Sequence, residues 1–471
     1  MVVRVRARDD FERYFDEIMK VDKMLAAYLG DTSDRVTKVY FEGSAHYENK
    51  MNKICEKYKN SKDPVLQCIF KYKMQSNKLH LSFIPITSLT NPIAWYKLMN
   101  KEIYPKKWRK ERDESFTKFI DCVIDDLNSG IKLGITMPKI ICEQFIKDLL
   151  KQNDPWSIKL RKYLQKDYLK HCRTTLGLCA LKNGKAMYTQ LVQQFCTLDI
   201  TPEEIHKIGL EKVEELSKIF KKVEHPIYAK SKDELLKVHY RGIYKNLMNT
   251  VIPKYFHDIP KTTCLIKMIA EKNQESSPGG LYYPRLRTFF VNLRDIKEHP
   301  LHKAHSLTMH ETVPGHHYQF AILQEMKVHN ARIHGFDNTA LVEGWALYAE
   351  TLTETMGSYD IESQMFRAVR LVVDTGIHYY NWSFDKAFEY MKKYLPSFQD
   401  AEIKTEILRY ISMPGQAIAY MIGCIKIHEL REEFLNKKLG DIKDFHRFFL
   451  EEGIVPFSVF DKKMSTYKKS H

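Results

Sequence analysis

Apolar side chains recur at intervals of three or four residues through most of this 471-residue chain, and no other feature limits its fold as strongly. Successive segments between residues 9 and 181, such as 116–127, show this amphipathic spacing. A helix start is evident at Thr201, which precedes Pro202 and two glutamates. The sequence therefore predicts a mainly α-helical protein.

The helical pattern is clearly interrupted at residues 274–280, where polar residues lead into a Pro-Gly-Gly turn. The two short runs that follow, 281–283 and 288–293, are rich in aromatic and β-branched residues. We expect them to form a small β-hairpin within residues 278–295.

The segment from His310 to His317 carries groups that bind metals, arranged around a Pro-Gly pair. Zinc hydrolases commonly use His-Glu-x-x-His, which places two imidazoles at i and i+4 on one helical face. Here position i+4 is Pro314, whose ring collides with the carbonyl of His310. Gly315 tolerates unusual backbone angles. The helix should therefore unwind, or form a π-type bulge, after Glu311.

Two histidines compete to become the second metal ligand beside His310. His317, at i+7, shares its helical face but lies about 10 Å along an undistorted axis. His316, at i+6, needs the bulge to rotate it inward. The sequence leaves both alternatives open.

Two carboxylates stand seven positions apart, hence on one face, in the apolar segment 340–350. An unpaired carboxylate in so apolar a helix is costly. Glu343 is therefore a candidate third ligand, and Glu350 is a candidate to orient a ligand histidine from behind. The alternative is a pair of glutamates on a solvated helix face.

Composition excludes several classes of protein. The net charge is +15, but basic residues alternate with acids along helices, and no nucleic-acid motif accompanies the basic clusters at 106–110 and in the tail (Lys462, Lys463, Lys468, Lys469). No apolar run is long enough for a membrane span. Nine dispersed cysteines and a charged N-terminal segment predict a cytoplasmic protein with reduced thiols.

Together these motifs resemble a known family. His310 to Gln319, with Glu343-Gly344-Trp345-Ala346, resembles the His-Glu-x-x-Pro-Gly-His-His signature of a bacterial domain-of-unknown-function family. That family is similar in turn to helical zinc peptidases of the angiotensin-converting-enzyme, thimet-oligopeptidase and Taq-carboxypeptidase type. Other matches extend the resemblance over residues 91–433, with good coverage there and weak coverage before residue 91.

The resemblance implies one zinc ion per chain and a bilobed helical body around a cleft. It implies an N-terminal lobe at 1–200 and a catalytic region at 201–471 that contains the small sheet (278–295), a metal helix (300–325), a third-ligand helix (340–356) and C-terminal helices. The two regions are expected to form one continuous catalytic unit. In such peptidases an edge strand pairs with extended substrate. We expect residues 289–293 to be that edge, with Asn292 and Tyr283 near the substrate; a purely structural hairpin is the alternative.

The resemblance also suggests catalytic roles. Glu311 would be the general base. A donor for the developing oxyanion would come from His378, Tyr410 or Tyr420, of which Tyr420 is narrowly favoured and His378 comes next.

Two arginines, Arg370 and Arg409, are candidates to hold a substrate carboxylate. They could equally be internal partners of Asp374, which we expect behind the site, or of a nearby glutamate.

The function expected from these features is zinc-dependent hydrolysis of short peptides. The alternatives are a zinc amidohydrolase that acts on a non-peptide amide, and a non-catalytic peptide-binding protein that retains the fold.

Overall fold

A computed structural model describes residues 9–22, 25–26, 29, 45–102, 104, 106–220, 226–274, 278–352 and 358–467. The described chain is mainly helical with one small sheet, which confirms the predicted fold class. Among these residues no helix combines the length and apolar character needed to cross a bilayer. The charged start at 1–8 and the tail lysines Lys468 and Lys469 lie outside the described residues.

Besides short 3-10 and π segments, the described chain forms the following α-helices and β-strands, in chain order. They are α1 Asp10–Val21, α2 Ala45–Tyr58, α3 Pro64–Leu79, α4 Pro92–Glu102, α5 Arg109–Leu133, α6 Lys139–Leu150, α7 Pro155–Tyr163, α8 Gly184–Cys196, α9 Pro202–Ile219, α10 Lys232–Glu234, α11 Arg241–Tyr255, β1 Leu265–Met268, α12 Glu271–Gln274, β2 Gly280–Tyr283, β3 Thr288–Val291, α13 Leu301–Glu311, α14 His316–Glu325, α15 Asn330–His334, α16 Thr339–Ala349, α17 Ser358–His378, α18 Phe384–Tyr394, α19 Asp400–Ser412, α20 Ala419–Asn436, α21 Ile442–Leu450 and α22 Phe457–Thr466.

The chain divides into two compact units, each built from several stretches of sequence. The first comprises Met1–Gln190, Gly376–Ala387 and Lys404–Pro414, and the second comprises Leu191–Thr375, Phe388–Ile403 and Gly415–His471. The sequence predicted one boundary near residue 200, without the two C-terminal stretches that join the first unit.

Aromatic side chains pack the core of the first unit. The ring of Tyr96 on α4 stacks on Phe116 of α5 with centroids 4.0 Å apart, and Trp156 of α7 meets both rings edge-on. Helix α7 begins where the Asp154 carboxylate accepts the backbone N–H of Ser157. The amphipathic spacing of this region is therefore that of helices packed on a shared apolar core.

The sheet belongs to the second unit and has the strand order β1-β3-β2. Strand β3 pairs in parallel with β1 and antiparallel with β2. The prediction that residues 289–293 form an edge strand is therefore wrong, because β1 covers the side that was expected to be open. The four residues of β1 carry only one buried side chain, Ile266, which gives too short an alternation to reveal a strand.

One face of the sheet packs against helix α13. Phe289 and Val291 are fully buried in an apolar cluster that includes Ala304 of α13. At Gly280 an added Cβ would lie 2.9 Å from the Phe289 ring and 3.2 Å from Leu307. This contact fixes the helix that carries His310 against a rigid support.

Helices α16 and α20 approach until their backbones touch. An added Cβ on Gly344 would lie 2.5 Å from the carbonyl carbon of Gly423, and one on Gly423 would lie 1.8 Å from the carbonyl oxygen of Ala340. Because both obstacles are backbone atoms, no rotamer change can make room. Glycine is thus required on both helices for the close approach.

We expect Gly423→Ala to lower the free energy of unfolding by about 1–3 kcal/mol, the usual cost of overpacking. Urea unfolding followed by circular dichroism measures the loss. The matched control is Gly242→Ala on α11, where an added Cβ meets nothing within 4 Å. That control should be neutral or stabilising by about 0.5–1 kcal/mol. Equal stability of the two variants would contradict the close helix contact.

Candidate metal centre

The expected single metal helix at 300–325 is two helices. Helix α13 ends at Glu311, α14 begins at His316, and residues 312–315 between them are not helical. The Val313-Pro314 peptide bond is cis, and the Gly315 N–H donates to the carbonyl of Met309 over 3.0 Å. The helix therefore unwinds over four residues, one of the two outcomes expected from the sequence, and carries no π bulge at this point.

Gly315 allows the tight turn between α13 and α14 because it has no side chain. An added Cβ would lie 2.0 Å from the carbonyl oxygen of His310, so only glycine fits. Its φ of −76° is ordinary. Glycine is required here because the backbone at residue 315 lies against the end of α13, where a side chain has no space. The close approach allows the chain to pass beside His310 as α14 begins.

Three side chains converge across this turn. The Nε2 atoms of His310 and His316 lie 3.3 and 3.4 Å from the Oε2 atom of Glu343, and the three candidate ligand atoms all lie within 4.8 Å of one another. The two imidazole rings are nearly perpendicular, at 85°, with centroids 4.9 Å apart. Two nitrogens and one carboxylate oxygen thus face a common point.

His317 is occupied elsewhere. Its Nδ1 lies 3.0 Å from the hydroxyl of Tyr282 on β2, and its Nε2 donates to the carbonyl of Thr262 over 2.9 Å. The ring is fully buried, and burial lowers the pKa of the imidazole. Of the two alternatives that the sequence left open, the structure brings His316 next to His310. His317 instead forms hydrogen bonds with Tyr282 of the sheet and with the backbone of Thr262.

Glu350 forms a hydrogen bond with His310 on the side of the ring away from Glu343. Its Oε1 lies 2.8 Å from Nδ1 of His310 and 3.5 Å from the guanidinium of Arg367. Its Oε2 accepts hydrogen bonds from the hydroxyls of Ser306 and Ser363. Burial alone would raise the pKa of this carboxyl, but Arg367 and the hydrogen bonds outweigh it and lower the pKa to about 2. The group is therefore a fixed anion behind the ring.

The charge balance of the cluster favours a cation. Burial would lower the pKa of His310, but the hydrogen bonds of Glu343 and Glu350 reverse the effect and raise it to about 9. The pKa of Glu343 stays well below its usual range despite burial, because His316 and His310 stabilise the carboxylate. A metal ion at this candidate site would therefore compete with a proton.

Glu311 is buried next to His310, and its Oε2 has no hydrogen-bond partner within the described part of the chain. Burial raises the pKa of its carboxyl, while His316 and His310 pull it down to a smaller extent. A buried, unpartnered carboxylate oxygen is costly in a structural role. Its placement suits a group that exchanges a proton with a bound molecule.

Tyr420 and Arg370 border the same cluster. The Tyr420 ring lies nearly parallel to that of His310, with centroids 6.4 Å apart. The guanidinium carbon of Arg370 lies 4.7 Å from the Tyr420 centroid and 4.0 Å from that of Phe366. Arg370 is thus held between two aromatic rings beside the candidate ligands.

His378, Tyr410 and Arg409 belong to the first unit and are engaged there. His378 accepts the N–H of Leu178 at Nδ1 and donates from Nε2 to the carbonyl of Tyr410 over 3.0 Å. Because both ring nitrogens are bonded and the ring is fully buried, the geometry argues against His378 as an oxyanion donor. The Tyr410 side chain is fully buried, and Arg409 pairs with Glu406 at 3.2 Å.

Three further predicted residues have structural contacts. The Asn292 amide donates to the carbonyl of Gln274 and its oxygen accepts the N–H of Arg294. Asn292 is 4 % exposed, which argues against a direct substrate contact. Tyr283 packs edge-on against Phe290. Asp374 accepts the N–H of Gly415 over 3.0 Å and so fixes a turn.

Sequence reasoning missed the partners of Glu350. Ser306 lies four residues before His310, on the same helical face. This spacing could have identified Ser306 as a residue near the partner of His310. Ser363 and Arg367 come from α17, and only tertiary packing brings them to the site.

Comparison with known proteins gives a family and two similar structures. Residues 151–464 match the family described as "Bacterial protein of unknown function (DUF885)". The structure described as the "putative lipoprotein from Colwellia psychrerythraea" is similar with a TM-score of 0.81 and 21% identity, over 97% of this chain and 98% of that one. A "putative lipoprotein of unknown function from Shewanella oneidensis" is similar with a TM-score of 0.63 and 16% identity, over 98% of this chain and 100% of that one. No curated protein matches.

These descriptions overturn one expectation. Both similar structures are described as putative lipoproteins, which contradicts the cytoplasmic location predicted from the sequence. The charged N-terminal segment and the dispersed cysteines were insufficient grounds for that prediction.

Metal content distinguishes the two histidines. Zinc added to the purified protein and measured by mass spectrometry should bind at one ion per chain, and His316→Ala should lose it because a ligand is gone. His317→Ala should retain zinc but unfold more easily, because two hydrogen bonds to its ring are lost. Loss of zinc from His317→Ala alone would contradict the assignment.

The pH dependence of stability tests the role of His378. Burial lowers the pKa of its ring from 6.5 to about 3, so the folded state stays neutral where the unfolded state takes up a proton. Stability should therefore fall as the pH drops from 6.5 towards 3.

In His378→Gln this fall should be shallower than in the wild type, as measured by urea midpoints at each pH. His171→Gln, at an exposed position, is the control and should follow the wild-type profile. An unchanged slope in His378→Gln would show that the ring is not held neutral.

Proposed function

This chain belongs to the DUF885 family of bacterial proteins of unknown function, and we propose that it is a zinc-dependent hydrolase of short peptides. The observation that carries the proposal is the convergence of His310, His316 and Glu343 beside the buried, unpartnered carboxylate of Glu311. His310 and Glu311 lie at the end of α13, His316 begins α14 across the turn, and Glu343 comes from α16.

The donor set suits zinc. Two imidazole nitrogens and one carboxylate oxygen, with a position left for water, form a common catalytic zinc environment. Glu350 fixes the orientation of His310, as second partners of metal-bound histidines do. Zinc bound there would supply Lewis acidity, which lowers the pKa of water and polarises a carbonyl group.

Glu311 acts as the general base. Its raised pKa makes its carboxylate a stronger proton acceptor than an exposed glutamate. It takes a proton from the attacking water and later delivers that proton to the departing amine. The absence of a competing hydrogen bond at Oε2 among the described residues leaves this oxygen available for the transfer.

Tyr420 is the donor to the oxygen that becomes negative during attack. Its ring lies beside His310, and a donor of this kind contributes about 2.7–4 kcal/mol in comparable sites. Arg370, packed on the Tyr420 ring, supplies positive charge on the same side and favours substrates or transition states with negative charge there.

Two glutamate variants separate metal binding from chemistry. Glu311→Gln should retain one zinc per chain but lose peptide turnover by at least about 100-fold, since it removes the base and keeps the shape. Glu343→Gln should lose zinc and turnover together. Zinc is measured by mass spectrometry and turnover with a pool of short peptides analysed by liquid chromatography.

Glu429→Gln is the control, because this glutamate lies on α20 with its side chain 62% exposed. It should match the wild type in both measurements. Wild-type protein that takes up no zinc would refute the proposal. Zinc uptake with turnover of acyl amides but of no peptide would identify a different amide substrate.

A further inference from the structure

The two imidazoles of the metal centre are supported unequally. His310 has Glu350 at its second nitrogen, 2.8 Å away. The second nitrogen of His316, Nδ1, is buried and has no hydrogen-bond partner among the described residues. A ring that uses Nε2 for a metal carries its proton on Nδ1, and that N–H needs an acceptor.

A buried acceptor without a partner occurs one helical turn away. The side-chain oxygen of Gln319 is buried and, within the described chain, also lacks a hydrogen-bond partner. The residue is 1 % exposed, so water does not readily compensate. A buried amide oxygen and a buried ring nitrogen that both lack a partner are each destabilising, because neither regains the hydrogen bond that it makes in water.

Helix geometry brings these two groups towards each other. His316 is the first residue of α14 and Gln319 is its fourth, and residues three apart on a helix are neighbours, with Cβ atoms about 5–6 Å apart. Long side chains on a helix lean back towards the N-terminus, over the residue three or four positions earlier. The Gln319 amide therefore leans over the turn that carries His316.

We propose that Gln319 is the positioning residue of His316, accepting the Nδ1–H bond when Nε2 binds the metal. The inference rests on the proposed metal centre and adds a residue to it. The two imidazoles then differ in kind, because His310 is backed by an anion and His316 by a neutral amide. A carboxylate makes its histidine the more basic ligand, whereas an amide orients the ring without adding charge.

Zinc affinity of Gln319 variants tests the proposal, measured by competition with a chromogenic chelator at constant pH. Gln319→Leu removes the acceptor and should weaken zinc binding about 10–100-fold, the usual effect of losing such a partner. Gln319→Glu restores an acceptor and should bind zinc at least as tightly as the wild type. Gln324→Leu, on the same helix but partly exposed, should leave the affinity unchanged.

The metal-free proteins separate positioning from a structural role. Since Gln319→Leu replaces an amide whose oxygen is buried without a partner by an apolar group, its melting temperature without zinc should equal or exceed that of the wild type. Should this variant fail to fold, Gln319→Met provides the same loss of an acceptor with a more adaptable side chain.

Wild-type zinc affinity in Gln319→Leu would overturn the proposal, and so would failure of Gln319→Glu to restore binding. A raised KM with unchanged zinc affinity would also overturn it, by placing Gln319 against the substrate. If the wild type itself binds no zinc, the proposed function fails, and this inference fails with it. Zinc binding by the wild type that no Gln319 variant alters refutes only the inference.

Discussion

The candidate metal centre depends on a chain reversal that has no room for a side chain. Four non-helical residues separate α13 from α14, and Gly315 sits so close to the end of α13 that even a methyl group would overlap the carbonyl of His310. This close return brings His316 within reach of the carboxylate that His310 also faces. A continuous helix would have pointed the two rings in different directions.

Two sets of contacts stabilise the residues around that reversal, one at His317 and one at His310. His317 anchors α14 through Tyr282 and the backbone of Thr262, so the sheet stabilises the turn. Glu350 gathers two hydroxyls and a guanidinium behind His310 and keeps its charge despite full burial. The neighbouring residues His316 and His317 thus differ in role: His316 faces the candidate metal position, and His317 stabilises the fold.

The sequence was informative where local rules apply. The helical class followed from periodicity, and the turn after Glu311 followed from the sterics of Pro314, although it proved to be a complete break. Glu343 and Glu350 were found because carboxylates are costly in an apolar helix. Long-range pairing was beyond such rules: β1 is too short to show alternation, and nothing near His378 in sequence reveals that Leu178 and the Tyr410 carbonyl occupy its nitrogens.

The glycine contact between α16 and α20 has a consequence for the order in which parts of the site fold during synthesis. Glu343 is fixed by a helix whose backbone rests on Gly423, so the two histidines leave the ribosome well before the helix that positions their partner. Because chains are synthesised from the N-terminus, we expect the complete candidate ligand set to form after α20 has emerged and packed against α16. A metal ion encountered earlier would meet two imidazoles without their carboxylate, so under the proposed function specific metal loading would follow the folding of this unit.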